Sequence, residues 1–134
     1  MANIAQLKFL VVDDMATMRT IVTQQLRGLG AAEITQATDG VNAWQALEAA
    51  KGSGPIQFIV SDWNMPNMPG IELLKKCRAD SVYKGVAFML LTAEAEASQV
   101  GEAVAAGVDN YLVKPFTPEN FGEKFKAVMA KRFP

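Results

Sequence analysis

Residues 8–19, KFLVVDDMATMR, set how the rest of the chain is read. Lys8 to Val12 is a short apolar run that ends abruptly at Asp13 and Asp14. Met15, Met18, Ile21, Val22, Leu26 and Leu29 then recur at helical spacing, and Gly30 follows as the stop. A strand that ends in two acids and runs into a helix is one βα unit, and the alternation continues down the chain. Ile34 to Ala37 is a weaker strand, followed by a helical stripe of Val41, Trp44 and Leu47 that the turn residues Lys51 to Pro55 (KGSGP) close. Ile56 to Ser61 reads as a strand running into Asp62, and Ile71 to Arg78 as a short helix. Val86 to Leu91 (VAFMLL) is apolar on both faces, as suits a central parallel strand. A helix over Ala97 to Ala106, a strand from Asn110 to Val113 and a last helix with Phe121, Phe125, Val128 and Met129 inward complete the pattern. Thr117 and Pro118 supply that helix's capping hydroxyl and first-turn proline.

Five strands alternating with helices predict an α/β fold, a parallel sheet covered by helices on both faces. Right-handed crossovers leave few topologies for five such units. Neither an internal repeat nor a linker nor a low-complexity stretch interrupts residues 1–134, so one domain is expected.

Composition narrows the chemistry. Thirteen Lys and Arg stand against 14 Asp and Glu, a net charge of −1, which argues against a nucleic-acid binder that lives on phosphate neutralisation. The sequence contains no His, which excludes Ser-His-Asp triads, His-ligated metals and imidazole acid–base catalysis. A single cysteine, Cys77, allows neither an internal disulfide nor a cysteine cluster, and its place on the inner side of a short helix predicts an inert thiol. Apolar runs stop far short of the ~20 residues that span a bilayer, and the first residues lack a secretion signal. A cytoplasmic domain whose chemistry rests on carboxylates, Lys, Ser or Thr and a bound ion is the expectation.

Sheets of this class bind ligands beyond the carboxyl ends of their strands. Asp13 and Asp14 follow the first strand, Asp62 the third, Thr92 the fourth and Lys114-Pro115 the fifth. With strand order 2-1-3-4-5 the first and third strands are neighbours, and the three acids converge. Each residue alone has a bland explanation as a turn, cap or surface residue. Four such coincidences at one sheet edge do not. Clustered carboxylates repel unless a cation joins them, and Mg²⁺, a hard ion that accepts one or two carboxylates and a phosphate oxygen, suits the set. Asp62 is the better phosphoryl acceptor, because adjacent Asp13 and Asp14 are placed to hold the metal together. Thr92, the amide of Ala93 and Lys114 are placed to meet the phosphoryl oxygens.

The segments KFLVVDDMATMR, SDWNMPNMPG, LLTAEA and NYLVKPFTPENF resemble the receiver domains of two-component signalling, most of all the single-domain chemotaxis response regulators. The resemblance covers essentially the whole chain and implies the flavodoxin-like (βα)5 topology. It implies phosphorylation of Asp62 by a histidine kinase, with Mg²⁺ held by Asp13, Asp14, Asp62 and the backbone carbonyl of Asn64. It also implies a cis bond between Lys114 and Pro115. Thr92 and Tyr111 would be the switch pair, and the output face of fourth helix, fifth strand and fifth helix, including Ala95, Tyr111 and Lys124, would meet a flagellar motor switch protein. A dedicated phosphatase, a monomeric state and no enzyme activity beyond its own phosphorylation and dephosphorylation are further implications. Asn64 and Glu94 match the chemotaxis pattern and imply a short-lived acyl phosphate. Met15 stands where relatives often carry an aromatic, and Glu96 and Ala97 stand where they are basic, which leaves the downstream partner open.

Other residues divide differently. Tyr111 on sequence alone is equally a half-buried strand tyrosine with its hydroxyl in water. Trp63 belongs either at the pocket mouth or in an exposed loop, whereas Trp44 reads as core. The Gly28-Leu29-Gly30 run sits at a helix end and is no dinucleotide fingerprint. A dehalogenase-type phosphatase would need D-x-D after the first strand and a cap domain. A flavin carrier would need a hydroxyl-rich loop where Asp13 and Asp14 stand. A receiver acting as a phosphate sink, or on a non-motor partner, remains the alternative.

Overall fold

The computed structural model describes residues 3–93 and 97–134. Its five strands are β1 (Lys8–Val12), β2 (Glu33–Ala37), β3 (Phe58–Asp62), β4 (Ala87–Thr92) and β5 (Asn110–Val113). The helices between and after them are α1 (Ala16–Gly28), α2 (Gly40–Ala50), α3 (Gly70–Arg78), α4 (Ala97–Ala105) and α5 (Pro118–Arg132). All strand pairs are parallel and the order is β2-β1-β3-β4-β5, the flavodoxin-like arrangement.

Strand periodicity sorts the core into two layers. Leu10, Val12, Ile59, Phe88 and Leu90 face α2, α3 and α4 through Ala43, Leu47, Leu73, Leu74 and Ala103. Phe9, Val11, Phe58, Val60, Met89 and Leu91 face α1 and α5 through Val22, Leu26, Phe121, Phe125 and Val128. Both faces of β3 and β4 are therefore buried, which accounts for their unbroken apolar runs. Cys77 is buried in the first layer, and burial pushes its thiol up to about 12.

Several local readings need correction. The third strand begins at Phe58 rather than Ile56, and Asp62 and Thr92 are the last ladder residues of β3 and β4 rather than the residues beyond them. Val41 is exposed, and Gly40, Ala43 and Leu47 form the inward face of α2. Trp44 is half-buried at the rim, edge-on to Tyr83 and beneath the ammonium of Lys76 at 5.0 Å. Its amphipathic ring covers core on one side and meets cations on the other. Met15 and Ile21 are also exposed, so the inward stripe of α1 is narrower than its apolar spacing. Thr117 caps α5 as expected, its hydroxyl accepting from the amide of Asn120 at 3.1 Å.

The opposite, amino edge of the sheet is tied by Asp109. Its buried carboxylate accepts from the amide of Phe88 (2.9 Å), from Arg132 Nε (2.9 Å) and from Arg78 Nη2 (3.4 Å), with Lys131 Nζ at 3.2 Å. A groove of about 530 Å³, lined by Ile4, Phe125, Met129 and Phe133, also lies at this end, away from the acids.

Candidate functional site

Asp13 directly follows β1 and is buried. Its amide donates to the Ala37 carbonyl at the end of β2 (3.1 Å). Its carboxylate Oδ1 accepts from the amide of Met15 (2.9 Å), which turns the chain into α1, and Oδ2 lies 3.2 Å from Lys114 Nζ. Asp62 ends β3 on the neighbouring strand, with Oδ1 accepting from the Trp63 amide (2.9 Å) and lying 3.1 Å from the same ammonium. Asp14 is exposed at the rim. One carboxylate oxygen each from Asp13, Asp14 and Asp62 lies within 4.8 Å of the others. The convergence expected from strand order is thus present.

Three carboxylates and one ammonium leave an excess of two negative charges. Burial is the main force pushing the Asp62 carboxyl above its ordinary range, and Asp13 adds to it, while Lys114 and the Trp63 amide oppose it. Closely set carboxylate oxygens with an exposed member at the rim could hold a hard divalent cation, which prefers oxygen donors.

Thr92 ends β4 beside Asp62, and its buried hydroxyl donates to Gln99 Oε1 on α4 at 3.3 Å. The Lys114 amide donates to the Thr92 carbonyl at 2.7 Å, which sets the lysine beyond β5, and the Lys114–Pro115 bond is cis. Tyr111 pairs with Leu90 two positions before Thr92, so it shares that sheet face. It is half-buried, with Lys124 Nζ 5.4 Å from its ring centroid. Ala95, Glu94 and Glu96 lie outside the described residues. Asn64 is exposed in the loop after β3. Trp63, bonded through its amide to Asp62, is not an exposed loop aromatic. Its amide donates to the Leu91 carbonyl (2.8 Å), prolonging the strand, and only 7% of the residue is exposed.

The sequence reading passed over two supports of the site. Arg19 on α1 donates through Nη1 to the Asp13 carbonyl (2.7 Å) and through Nε to Gln36 (3.2 Å). Asp39, the N-cap of α2, accepts from Asn67 in the loop after β3 at 2.7 Å. An Asp-Gly pair before a helical stripe is a readable cap signal, but nothing local names its partner across the sheet edge.

Residues 9–126 match the model of the response regulator receiver domain. The chain belongs to the response regulator receiver family. It is 42% identical over 123 residues to chemotaxis protein CheY1 of Helicobacter pylori, covering 92% of this chain and 97% of that one. Identity to chemotaxis protein CheY-3 of Vibrio cholerae is 44% over 125 residues, 93% of each chain. The solved structure of Vibrio cholerae CheY4 superposes with a TM-score of 0.81 at 35% identity, covering 91% of this chain and 98% of that one. This receiver is a CheY-type response regulator.

Proposed function

We propose that this receiver, as one unit over residues 1–134, takes a phosphoryl group from a histidine kinase onto Asp62 and then presents a changed surface to the flagellar motor switch. The observation that carries the reading is the single ammonium of Lys114 lying between Asp13 and Asp62, with Asp14 completing the acidic cluster. In this reading Asp13, Asp14, Asp62 and the Asn64 carbonyl hold Mg²⁺. When bound, Mg²⁺ offsets the negative charge that carboxylates and phosphoryl oxygens bring together.

The chain's own residues do the rest. A carboxylate oxygen of Asp62 attacks phosphorus; the new O–P bond forms as the N–P bond of the donor phosphohistidine breaks, and the imidazole leaves with that electron pair. Both bonds that the Asp62 carboxylate makes among the described residues fall on Oδ1, so Oδ2 is the oxygen assigned to attack. Lys114 then pairs with a phosphoryl oxygen instead of the carboxylate charge that transfer consumes. Thr92 exchanges Gln99 for the phosphoryl group, which releases its bond to α4 and clears the face behind it for Tyr111. A shift from about 1:99 to 99:1 takes ~5.5 kcal/mol of differential stabilisation.

The output surface includes the recess of about 400 Å³ between β5 and α5, lined by Tyr111, Val113, Pro115, Asn120 and Lys124. Motor control is supported by the chemotaxis names of the relatives; cytoplasmic residence, a monomeric state, a signalling rather than enzymatic role and a dedicated phosphatase belong to the same reading. The test is binding of the flagellar switch's amino-terminal peptide with and without Mg²⁺-beryllofluoride, the phosphoryl mimic. Much tighter binding with the mimic is expected. No binding in either state, with Trp63 fluorescence reporting that the mimic is bound, would move the output to another partner or to a phosphate sink.

A further inference from the structure

The turn between β2 and α2 touches both halves of the acidic site without contributing a carboxylate to it. On one side the Ala37 carbonyl accepts from the Asp13 amide at 3.1 Å. On the other, two residues later, Asp39 reaches the loop that carries Asn64. Asp39 Oδ1 accepts from the Asn42 amide (2.8 Å) and caps α2, while Oδ2 accepts from Asn67 Nδ2 (2.7 Å). Asp39 is 7% exposed, and both its oxygens are engaged.

The loop is shaped for this bond. Asn67 has φ 69°, alone among the described non-glycine residues in the left-handed region, which Asn tolerates better than most. Pro66 and Pro69 stiffen its flanks, and the Gly70 amide donates to the Trp63 carbonyl at 2.8 Å, closing the loop's base. Gly40 lets the loop rest on the end of α2, since a Cβ there would stand 2.6 Å from Met68 Cβ. The base is held by backbone bonds; a side-chain bond to Asp39 holds the tip.

We propose that Asp39 is a positioning residue for the cation site: through Asn67 it fixes the loop bearing Asn64 against the strand end bearing Asp13. This rests on the reading of the acidic cluster as the Mg²⁺ site. The Asn42 amide and then Asn67 hold the Asp39 carboxyl below its ordinary range, so the latch stays ionised at neutral pH. Loss of the bond frees the tip and spends part of the cation's binding energy on ordering it.

Two variants separate latch from cap. Asn67→Gly keeps the positive φ and deletes the donor. Asp39→Ser keeps an N-cap acceptor and deletes the reach to Asn67. Mg²⁺ is titrated against the full chain in a Trp44→Phe background, with Trp63 fluorescence as the readout and Asp13→Asn as the control. Each latch variant is expected to weaken Mg²⁺ binding by about three- to tenfold, below the 10- to 100-fold typical of groups bonded directly to a ligand. The double variant is expected to bind no more weakly than the weaker single one, because both remove the same bond. Wild-type affinity within a factor of about two in both variants would overturn the latch while leaving the cation site standing. Weakening by Asp39→Ser alone would overturn it too, assigning the effect to the helix cap. A wild-type chain that does not respond to Mg²⁺, or responds as Asp13→Asn does, would remove the cation site itself and the latch with it.

Discussion

Gly70 begins α3 directly beneath the end of β3, and Gly70→Ala is predicted to be strongly destabilising. A Cβ at this position would overlap the Asp62 carbonyl oxygen and stand 3.1 Å from its carbon and 3.0 Å from Leu90 Cδ2. Asp62 is paired with β4 and cannot withdraw without opening the ladder. The start of α3 must move instead, which breaks the bond from the Gly70 amide to the Trp63 carbonyl. Overpacking costs about 1–3 kcal/mol and the lost hydrogen bond about 1, so a total of roughly 2–4 kcal/mol is expected. For a chain of this size each kcal/mol moves Tm by about 3–4 °C, so the melting point should fall by roughly 6–16 °C. Gly101→Ala in α4 is the control, because a Cβ there meets nothing within 4 Å. It should stabilise by up to about 1 kcal/mol, as an exposed helical Gly→Ala change does. Thermal unfolding of the two variants side by side decides the matter. A Gly70→Ala melting point within ~3 °C of wild type would refute the reasoning.

Asp62→Asn should raise thermal stability at neutral pH in the absence of divalent ions. The folded-state carboxyl sits above its ordinary range, so its stabilising contribution is complete below the unfolded pKa and is lost as pH rises through the folded value. The advantage of the amide should accordingly shrink toward pH ~4, and a variant less stable than wild type at neutral pH would contradict the sign. Lys114→Met should tighten Mg²⁺ binding, by removing the competing cation beside Asp13 and Asp62, yet slow phosphorylation; weaker Mg²⁺ binding in a fluorescence titration would count against it. Asp109→Ala should cost about 3–5 kcal/mol in a urea melt, because it strands Arg78 and Arg132 at the amino edge. Its Mg²⁺ affinity should stay at the wild-type value, and a parallel loss would show that the two sheet edges are coupled.

What could be read from the chain and what could not divide along a physical line. Asp13, Asp62, Thr92 and Lys114 were legible because a strand's end is marked by its own apolar run, and strand order then brings the ends together. Asp109 and Asp39 were not, since each works through side-chain partners 22 or more residues away, such as Lys131 and Asn67, that no local period marks. Trp63 was undecided because its burial depends on the backbone bond to Leu91 that prolongs β3, a tertiary fact. Val41 and Ile21 were misplaced for the opposite reason. Their apolar spacing is real, but the helices present only a narrow face to the sheet, and single exposed apolar residues are common.

The central claim is that Asp62 accepts a phosphoryl group with a cation's help. Intact-mass measurement after incubation with Mg²⁺ and a small acyl-phosphate donor tests it most directly. Wild type should gain the mass of one phosphoryl group, Asp62→Asn should gain none, and chelation of the metal should abolish the gain. Equal modification of wild type and variant, or an unmodified wild type, would contradict the account.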